Sequence, residues 1–598
     1  MPPTCPIDVC QARKFENLRL NPKLALIVVV AICSVWSPAA SAALLQSEAS
    51  SAHSQHTRRP GYKQFKRVGQ YTMKQLLLGE TDEAIAYARQ VLKERADDGG
   101  EIHFLLALAL AQRGDIRQAS DHLRTALDAG LPPGRLIAGP RKITDSIRQT
   151  EPYRGVMTQW QGDLGLIHGP LVGAVRPRSA VVWVRTLDAA PVRVWVAADP
   201  QQLTDEAIAA GGNEAAAGAA GAAGAAIGSE SMATGPAGDY TAAIQVNGLQ
   251  PDTKYYYRVM VGGKLRGDPN AQHFRTFPET GDTARFHIAF GGGAGYVPAN
   301  ERIWNTIRRF EPRALLLLGD NVYSDDPQSP EIQRYSYYRR QSRPEWRRLV
   351  SQTPVFSIWD DHDFSNNDSW GGSQPDYPDW KRRVWEVFQE NWANPAYGMG
   401  AENPGCFYRF SIGDVELFML DCRYYRNSPR LPEAQRSMLG AAQKRWLKKH
   451  LQKSKATFKI LVSSVPWDFR TKGDSSDTWN GYRPERQEIF KWLAEHEIEG
   501  VVLMSADRHR SDAWRIDSPA GLPKGLYDLY EFNSSRLTNQ HVHAEMPAAV
   551  FSYNDKQSFG IVTFDTTCPD PTVRYEVVNI DGETVHRLEL NRSQLEID

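Results

Sequence analysis

The segment Leu315–Asp326, "LLLLGDNVYSDD", joins four consecutive leucines to a Gly-Asp step and a polar run. A short, unbroken apolar run reads as a strand buried on both faces, as in a parallel sheet. The polar run puts Asp320, Tyr323, Asp325 and Asp326 just beyond the strand end. Open α/β sheets build their sites at that position. The same rhythm recurs in "SIWDDHDFSNND" (Ser357–Asp368) and in "VVLMSADRHR" (Val501–Arg510). The second segment contributes Asp360, Asp361, His362 and Asp363; the third contributes Asp507 and His509. One acidic strand end is usually a helix cap or a solvated loop, whereas three on one sheet point to a site.

Further short apolar runs, "FHIAF" (Phe286–Phe290), "VELFML" (Val415–Leu420) and "KILVSSV" (Lys459–Val465), alternate with amphipathic stretches at 299–310 and 484–495. This alternation predicts an α/β core. The final 70 or so residues return to β, with an Asp-Gly hairpin turn in "NIDGE" (Asn579–Glu583). Upstream, residues 160–280 carry short β-rich runs bounded by turn residues, such as "SAVVWVRT" (Ser179–Thr186) and "LQPDTKYYYRVMV" (Leu249–Val261). They predict a small immunoglobulin- or fibronectin-like β-sandwich. An Ala/Gly tract at 209–230 interrupts it and reads as a disordered surface loop.

Residues 65–135 are helical in pattern. "GETDEAIAYARQVL" (Gly79–Leu92) aligns with "GDIRQASDHLRTAL" (Gly114–Leu127), matching Gly79 to Gly114 and Ala84 to Ala119. A period of about 35 residues with small residues at these places resembles tetratricopeptide repeats. Two units fall short of the three or so that a free-standing stack needs, so these helices are expected to pack on the next domain or on a capping helix. A protein-binding groove and a packing appendage are both consistent with them.

The 598 residues carry 70 Lys+Arg and 70 Asp+Glu, a formal net charge of zero. No basic field points to nucleic acid and no acidic excess points to disorder. At the N-terminus, "LALIVVVAICSVW" (Leu24–Trp36) comes after Arg13, Lys14, Arg19 and Lys23 and precedes Ala40-Ser41-Ala42. A run of about 13 apolar residues is short for a span and fits a secretory signal peptide covering residues 1–43. The alternative is an uncleaved anchor; both place the bulk of the chain outside the cytoplasm, periplasmic, extracellular or at the cell surface. No other segment reads as a membrane span. Cys406, Cys422 and Cys568 remain downstream with no metal-type spacing; one disulfide and one free thiol would be compatible with export.

Oxygen-rich ligands with a little imidazole suit hard or borderline cations: Ca²⁺, Mg²⁺, Mn²⁺ or iron. Asp320 is the natural bridge between two of them, because a Gly-Asp at a strand terminus holds the carboxylate short and rigid. Tyr323 could ligate as a phenolate, which favours ferric iron. His362, flanked by carboxylates that raise its pKa, is a candidate leaving-group acid or phosphate donor.

"GDNVYSD", "WDDHDFSNN", "LDCRYYR", "LGAAQKRWL" and "SADRHR" occur in this order and spacing. Together they resemble the PhoD-type alkaline phosphatases, exported calcium- and iron-dependent members of the metallophosphoesterase superfamily. The resemblance implies an αββα sandwich over 285–598 and takes in the β domain before it. It implies phosphomonoester or phosphodiester hydrolysis by a metal-bound hydroxide. Asp320 would bridge the metals, Tyr323 bind the iron-like site, and Asp361 hold the second metal. Asp507 and His509 would split between the two, and Asn367 would serve the second metal or a neighbouring calcium. Arg423 and Arg426 occupy the family's "D-T-R-x-x-R" positions, with Cys422 in place of Thr; the alternatives are bidentate phosphate binding and a structural ion pair.

Two departures stand out. The family usually has a Cys ligand in an "F-x-S-C" context, and here "FGGGAGY" (Phe290–Tyr296) puts Gly293 in that place. A water, Tyr296 or a different metal could fill the gap, or the glycine run could present N–H groups to a phosphate. "VSSVPW" (Val462–Trp467) also lacks the family's frequent Gln. His541 and His543 could share one strand face as a ligand pair, although surface histidine is the default for such residues. The rival from another class is a degenerate phosphatase fold that binds a phosphorylated ligand or a protein without turnover.

Overall fold

The computed structural model describes residues 59–61, 64–94, 100–163, 166–211 and 225–597. The segment 1–43, expected to be a signal peptide, and the centre of the Ala/Gly tract lie outside the described residues. The tract's two ends are regular: a helix at Asp205–Gly211 and a strand at Ile227–Gly228 paired to Pro191–Ala197.

The core is two sheets packed face to face. At the centre of the first lie three parallel strands, Arg285–Gly291, Leu315–Leu318 and Val355–Ile358. On one side Ser558–Asp565, Thr572–Asn579 and Thr584–Asn591 extend it antiparallel. The second sheet runs Tyr408–Ile412, Val415–Met419, Phe458–Val462, Val501–Ser505, Leu529–Ser534, Ser511–Ile516, Phe551–Tyr553. Successive residues of its central strands enter different cores. Leu417, Met419, Ile460, Val462, Val502 and Met504 face the first sheet, while Phe418, Leu461, Val501 and Leu503 face helices Gly440–Lys453 and Arg483–Glu495. That is why these strands lack a polar face. Phe356 stacks on Phe410 across the sheets, ring centroids 3.9 Å apart.

The expected β-sandwich is present but is not a separate body. Strands Leu166–Gly173, Ser179–Thr186 and Thr241–Asn247 continue the first sheet, Gly173 pairing in parallel with Val355. Pro191–Ala197 and Lys254–Val261 form the facing sheet. The alternation of buried and exposed residues in Thr241–Asn247 marks a sheet with one wet face.

Helices Phe65–Leu78, Thr81–Glu94, Glu101–Gln112 and Ile116–Asp128 make two antiparallel hairpins. Gly79 and Gly114 occupy equivalent turns in the left-handed region, at φ 81° and 92°, where a side chain would be strained. The unit buries its apolar face against Ile332 and Tyr335 of helix Pro330–Gln341, which packs on the two-sheet core. Tyr335 donates to Glu101, which is paired at 2.6 Å with the equally buried Arg135. Among the described residues no helix is long and apolar enough to cross a membrane, and Cys406, Cys422 and Cys568 are unpaired thiols.

Candidate metal centre

Two adjacent parallel strands, Leu315–Leu318 and Val355–Ile358, end side by side and deliver the acidic runs to one place. Gly319 makes this approach feasible: a Cβ there would stand 2.4 Å from Asp360 Cβ. Asp320, Tyr323, Asp325, Asp368, Asp507 and His509 all have positive φ, half of the non-glycine residues that do so among the described residues. Backbone strain of this kind concentrates where side chains must converge.

The four acids of "DDHD" and its flank divide by role. Asp363 accepts from the backbone N–H groups of Asn321, Val322 and Asp360 and so braces the strand-end loops. Asp360 accepts from Arg423 Nε at 2.6 Å and from Ser464 Oγ at 2.8 Å. Burial, partly opposed by Arg423, pushes its carboxyl up to about 7. Asp361 faces Asp320 and His362, and one potential ligand atom from each of the three lies within 4.8 Å of the others. A second acidic group, Asp361, Asp368 and Asp477, meets the same criterion. Burial, reinforced by Asp361, Asp360 and Asp363, raises the Asp320 carboxyl well above its ordinary range.

His362 Nδ1 lies 2.5 Å from Asp325 Oδ1. Burial works to depress this imidazole, but Asp325, Asp361 and Asp320 outweigh it and hold it up at about 10. Its ring stacks on Tyr323, centroids 4.5 Å apart. The Tyr323 hydroxyl lies 3.1 Å from His509 Nε2 and accepts from Asn539 Nδ2 at 2.6 Å. Burial and Asp320 push its phenol well up. His509 Nε2 is 3.9 Å from Asp320 Oδ2. Asp507 pairs with Lys472 at 3.2 Å.

The structure thus brings together Asp320, Tyr323, Asp361, His362, Asp507 and His509. It places the arginines differently from a phosphate clamp. Arg423 is fully buried and spends its donors on Asp360, Asp477 and the Ser369 carbonyl. Arg426 is held by Asp477, Tyr482 and the Ser476 carbonyl. Both guanidiniums are thus engaged in buried ion pairs. Asn367 is exposed, and its neighbour Asn366 is the buried one. The N–H groups of Gly292, Gly293 and Ala294 already donate to Ser534, Gly319 and Asp320 carbonyls, so the glycine run is not an anion nest. Tyr296 sits under Arg339, whose guanidinium is 4.5 Å from its ring centroid.

Sequence reasoning missed several neighbours. Asp477 and Lys472 lie beyond the end of strand Phe458–Val462, where the strand-end rule, applied to one more strand, would have found them. Asn539 gave no signal. Helix Phe65–Leu78 also reaches the centre: Lys66 Nζ lies 3.8 Å over the Tyr323 ring, Arg67 pairs with Asp325 and Lys74 with Asp326.

Two sheets face to face between helices, with carboxylates and imidazoles at the strand ends, define a metallophosphatase-like protein of the αββα class. The chain belongs to the PhoD-like phosphatase family. The family model described as PhoD-like phosphatase matches residues 288–567, and that for the family's N-terminal domain matches 154–278. Alkaline phosphatase D of Bacillus subtilis (strain 168) is 24% identical over 317 residues, 46% of this chain and 54% of that protein. The chain therefore spans about half the length of this relative. Purple acid phosphatase 23 of Arabidopsis thaliana is 23% identical over 366 residues, 50% of this chain and 70% of that one. A solved structure of PhoD superposes with a TM-score of 0.54 at 18% identity, covering 70% of this chain and 91% of its own.

Proposed function

We propose that this chain is an exported, metal-dependent phosphoric ester hydrolase acting on phosphomonoesters, phosphodiesters or both. The observation that carries the reading is the buried meeting of Asp320, Asp361 and His362 at two neighbouring strand ends. Asp320 Oδ1 is buried without a hydrogen-bond partner, and Asp361 lies within reach of it. Carboxylates crowded in this way are costly unless they hold a cation.

Asp320, Asp361 and Asp507, with Tyr323 and His509, are the residues that would hold cations. Ca²⁺, iron, Mn²⁺ and Mg²⁺ suit such donors. When bound, these ions supply Lewis-acid neutralisation of phosphoryl oxygens. The protein's own part is proton handling and positioning. Asp325 fixes the His362 ring through Nδ1 and keeps it protonated, which leaves Nε2 to donate to the departing alkoxide oxygen. Stacking on Tyr323 holds the ring plane. Asp363 ties together the two loops that carry Asp320 and Asp361 through three backbone N–H groups. Lys66 and Lys472 bring positive charge to the rim, which suits an anionic substrate.

Export rests on the N-terminal apolar run and its small-residue flank. The decisive variant is Asp320→Asn. It should lose both bound metal and hydrolysis of a chromogenic phosphomonoester and diester. Full turnover in this variant would refute the assignment. Wild-type protein that binds no metal and hydrolyses neither ester would instead support the non-catalytic binding module.

A further inference from the structure

The fold leaves no room for a side chain at Gly293. Its φ is 68°, and a Cβ built on it would lie 2.3 Å from the Ser535 carbonyl oxygen. At Gly292 a Cβ would meet Ala506 Cβ at 2.7 Å. The glycines instead dock a second segment. Gly292 O accepts from Leu537 N, and Gly293 O accepts from the N–H groups of Thr538 and Asn539. This places the next loop, with His541 and His543, directly over His509.

The loop is held at both ends. Asn539 Oδ1 accepts from His541 N at 3.2 Å, while its Nδ2 bonds Tyr323. Asn554 Nδ2 donates to the His543 carbonyl at 2.9 Å. The His541 and His543 rings are 4.6 Å apart by centroid and lie 5.2 and 5.5 Å from His509. One nitrogen from each of the three lies within 4.8 Å of the other two. His509 is buried, and its Nδ1 has no hydrogen-bond partner. His541 is exposed and His543 half-buried, so an ion can enter from solvent.

We propose that His509, His541 and His543 form a three-imidazole site for a borderline divalent cation of the Zn²⁺, Fe²⁺ or Co²⁺ class. Neutral imidazole nitrogens suit these ions and discriminate against Ca²⁺ and Mg²⁺, which require oxygen. The proposal rests on the reading of His509 as a ligand but stands apart from the assignment of turnover.

The test is equilibrium dialysis of chelator-treated full-length protein against Zn²⁺, Co²⁺ and Ca²⁺ separately. The wild type is compared with His541→Ala, His541→Ala/His543→Ala and Asp320→Asn. The double variant should lose one Zn²⁺ equivalent, or at least ~100-fold in affinity, since even changes to outer ligand partners cost 10–100-fold. The visible absorption of bound Co²⁺ should fall in parallel, Ca²⁺ binding should be unchanged, and His541→Ala should lie between. Unfolding midpoints in chelator separate a lost ligand from a lost fold. Equal Zn²⁺ stoichiometry and affinity within threefold in the folded double variant would overturn the proposal. Hydrolysis retained by Asp320→Asn would overturn the role given to Asp320 alone, and a wild type that binds Zn²⁺ at the three histidines yet hydrolyses neither ester would overturn the hydrolase reading alone.

Discussion

Arg423→Met separates the two roles open to this arginine. The guanidinium is fully buried. Its Nε donates to Asp360 at 2.6 Å, its Nη1 to Asp477 at 2.7 Å and to the Ser369 carbonyl at 3.0 Å, and its Nη2 to Asp477 at 3.2 Å. Methionine keeps much of the volume and leaves two buried carboxylates without their shared counter-charge. Breaking a buried pair from one side costs about 3–5 kcal/mol. Asp360, already up at about 7, would take a proton more readily still. A protonated Asp360 does not need the arginine, so the loss should be larger at pH 8 than at pH 6. With a urea m-value of about 2–3 kcal/mol/M, the midpoint should fall by about 1–2 M at pH 8. Urea unfolding in chelator, where metal binding contributes nothing, measures this directly. An unchanged midpoint together with a KM for phosphoester raised tenfold would show that Arg423 serves substrate, and the reasoning would fail.

Glu531 gives a pH-dependent companion. Burial pushes its carboxyl up to about 7 although Ser505 and the Trp467 and Asp468 N–H groups oppose the shift. An acid with a raised folded pKa binds protons the unfolded chain has released, so it draws stability away as pH rises from about 4.5 to 7. Glu531→Gln should therefore be about 2–3 kcal/mol less unfavourable, relative to wild type, at pH 8 than at pH 5; equal differences at both pH values would rule this out. Gly69→Ala tests the seat of the helical unit, because its Cβ would lie 2.3 Å from the buried Tyr335 hydroxyl. Overpacking of about 1–3 kcal/mol should raise the rate of proteolytic release of residues 59–163 about tenfold. Release at the wild-type rate would mean the helix sits elsewhere.

The strand-end logic located most of the side chains that converge here because it is local. A strand ending in Gly-Asp puts Asp320 at the sheet's C-terminal edge before any distant partner is known. It fails wherever a side chain's role depends on partners from other loops. Arg423 comes just after a strand as a ligand would, but the carboxylates that claim it come from residues 360 and 477. His541 and His543 read as surface histidines because nothing nearby in sequence announces that Gly293 docks their loop over His509. The same limit applies to the sheets. A β-rich run between turn residues identified Ser179–Thr186 as a strand, yet its membership in the first sheet depends on Gly173 meeting Val355. The helical repeats revealed their turns through Gly79 and Gly114; their partner surface, around Tyr335, lies far away in the chain.

The seat of helix Phe65–Leu78 has a consequence for how the chain is made. Arg67 meets Asp325 across 258 residues, and Lys74 meets Asp326 across 252. Helices that emerge early in synthesis must wait, with their cations and their apolar flank uncovered, for more than two hundred further residues. The centre closes only after that delay, so a truncated or stalled chain displays the same face that a finished one conceals.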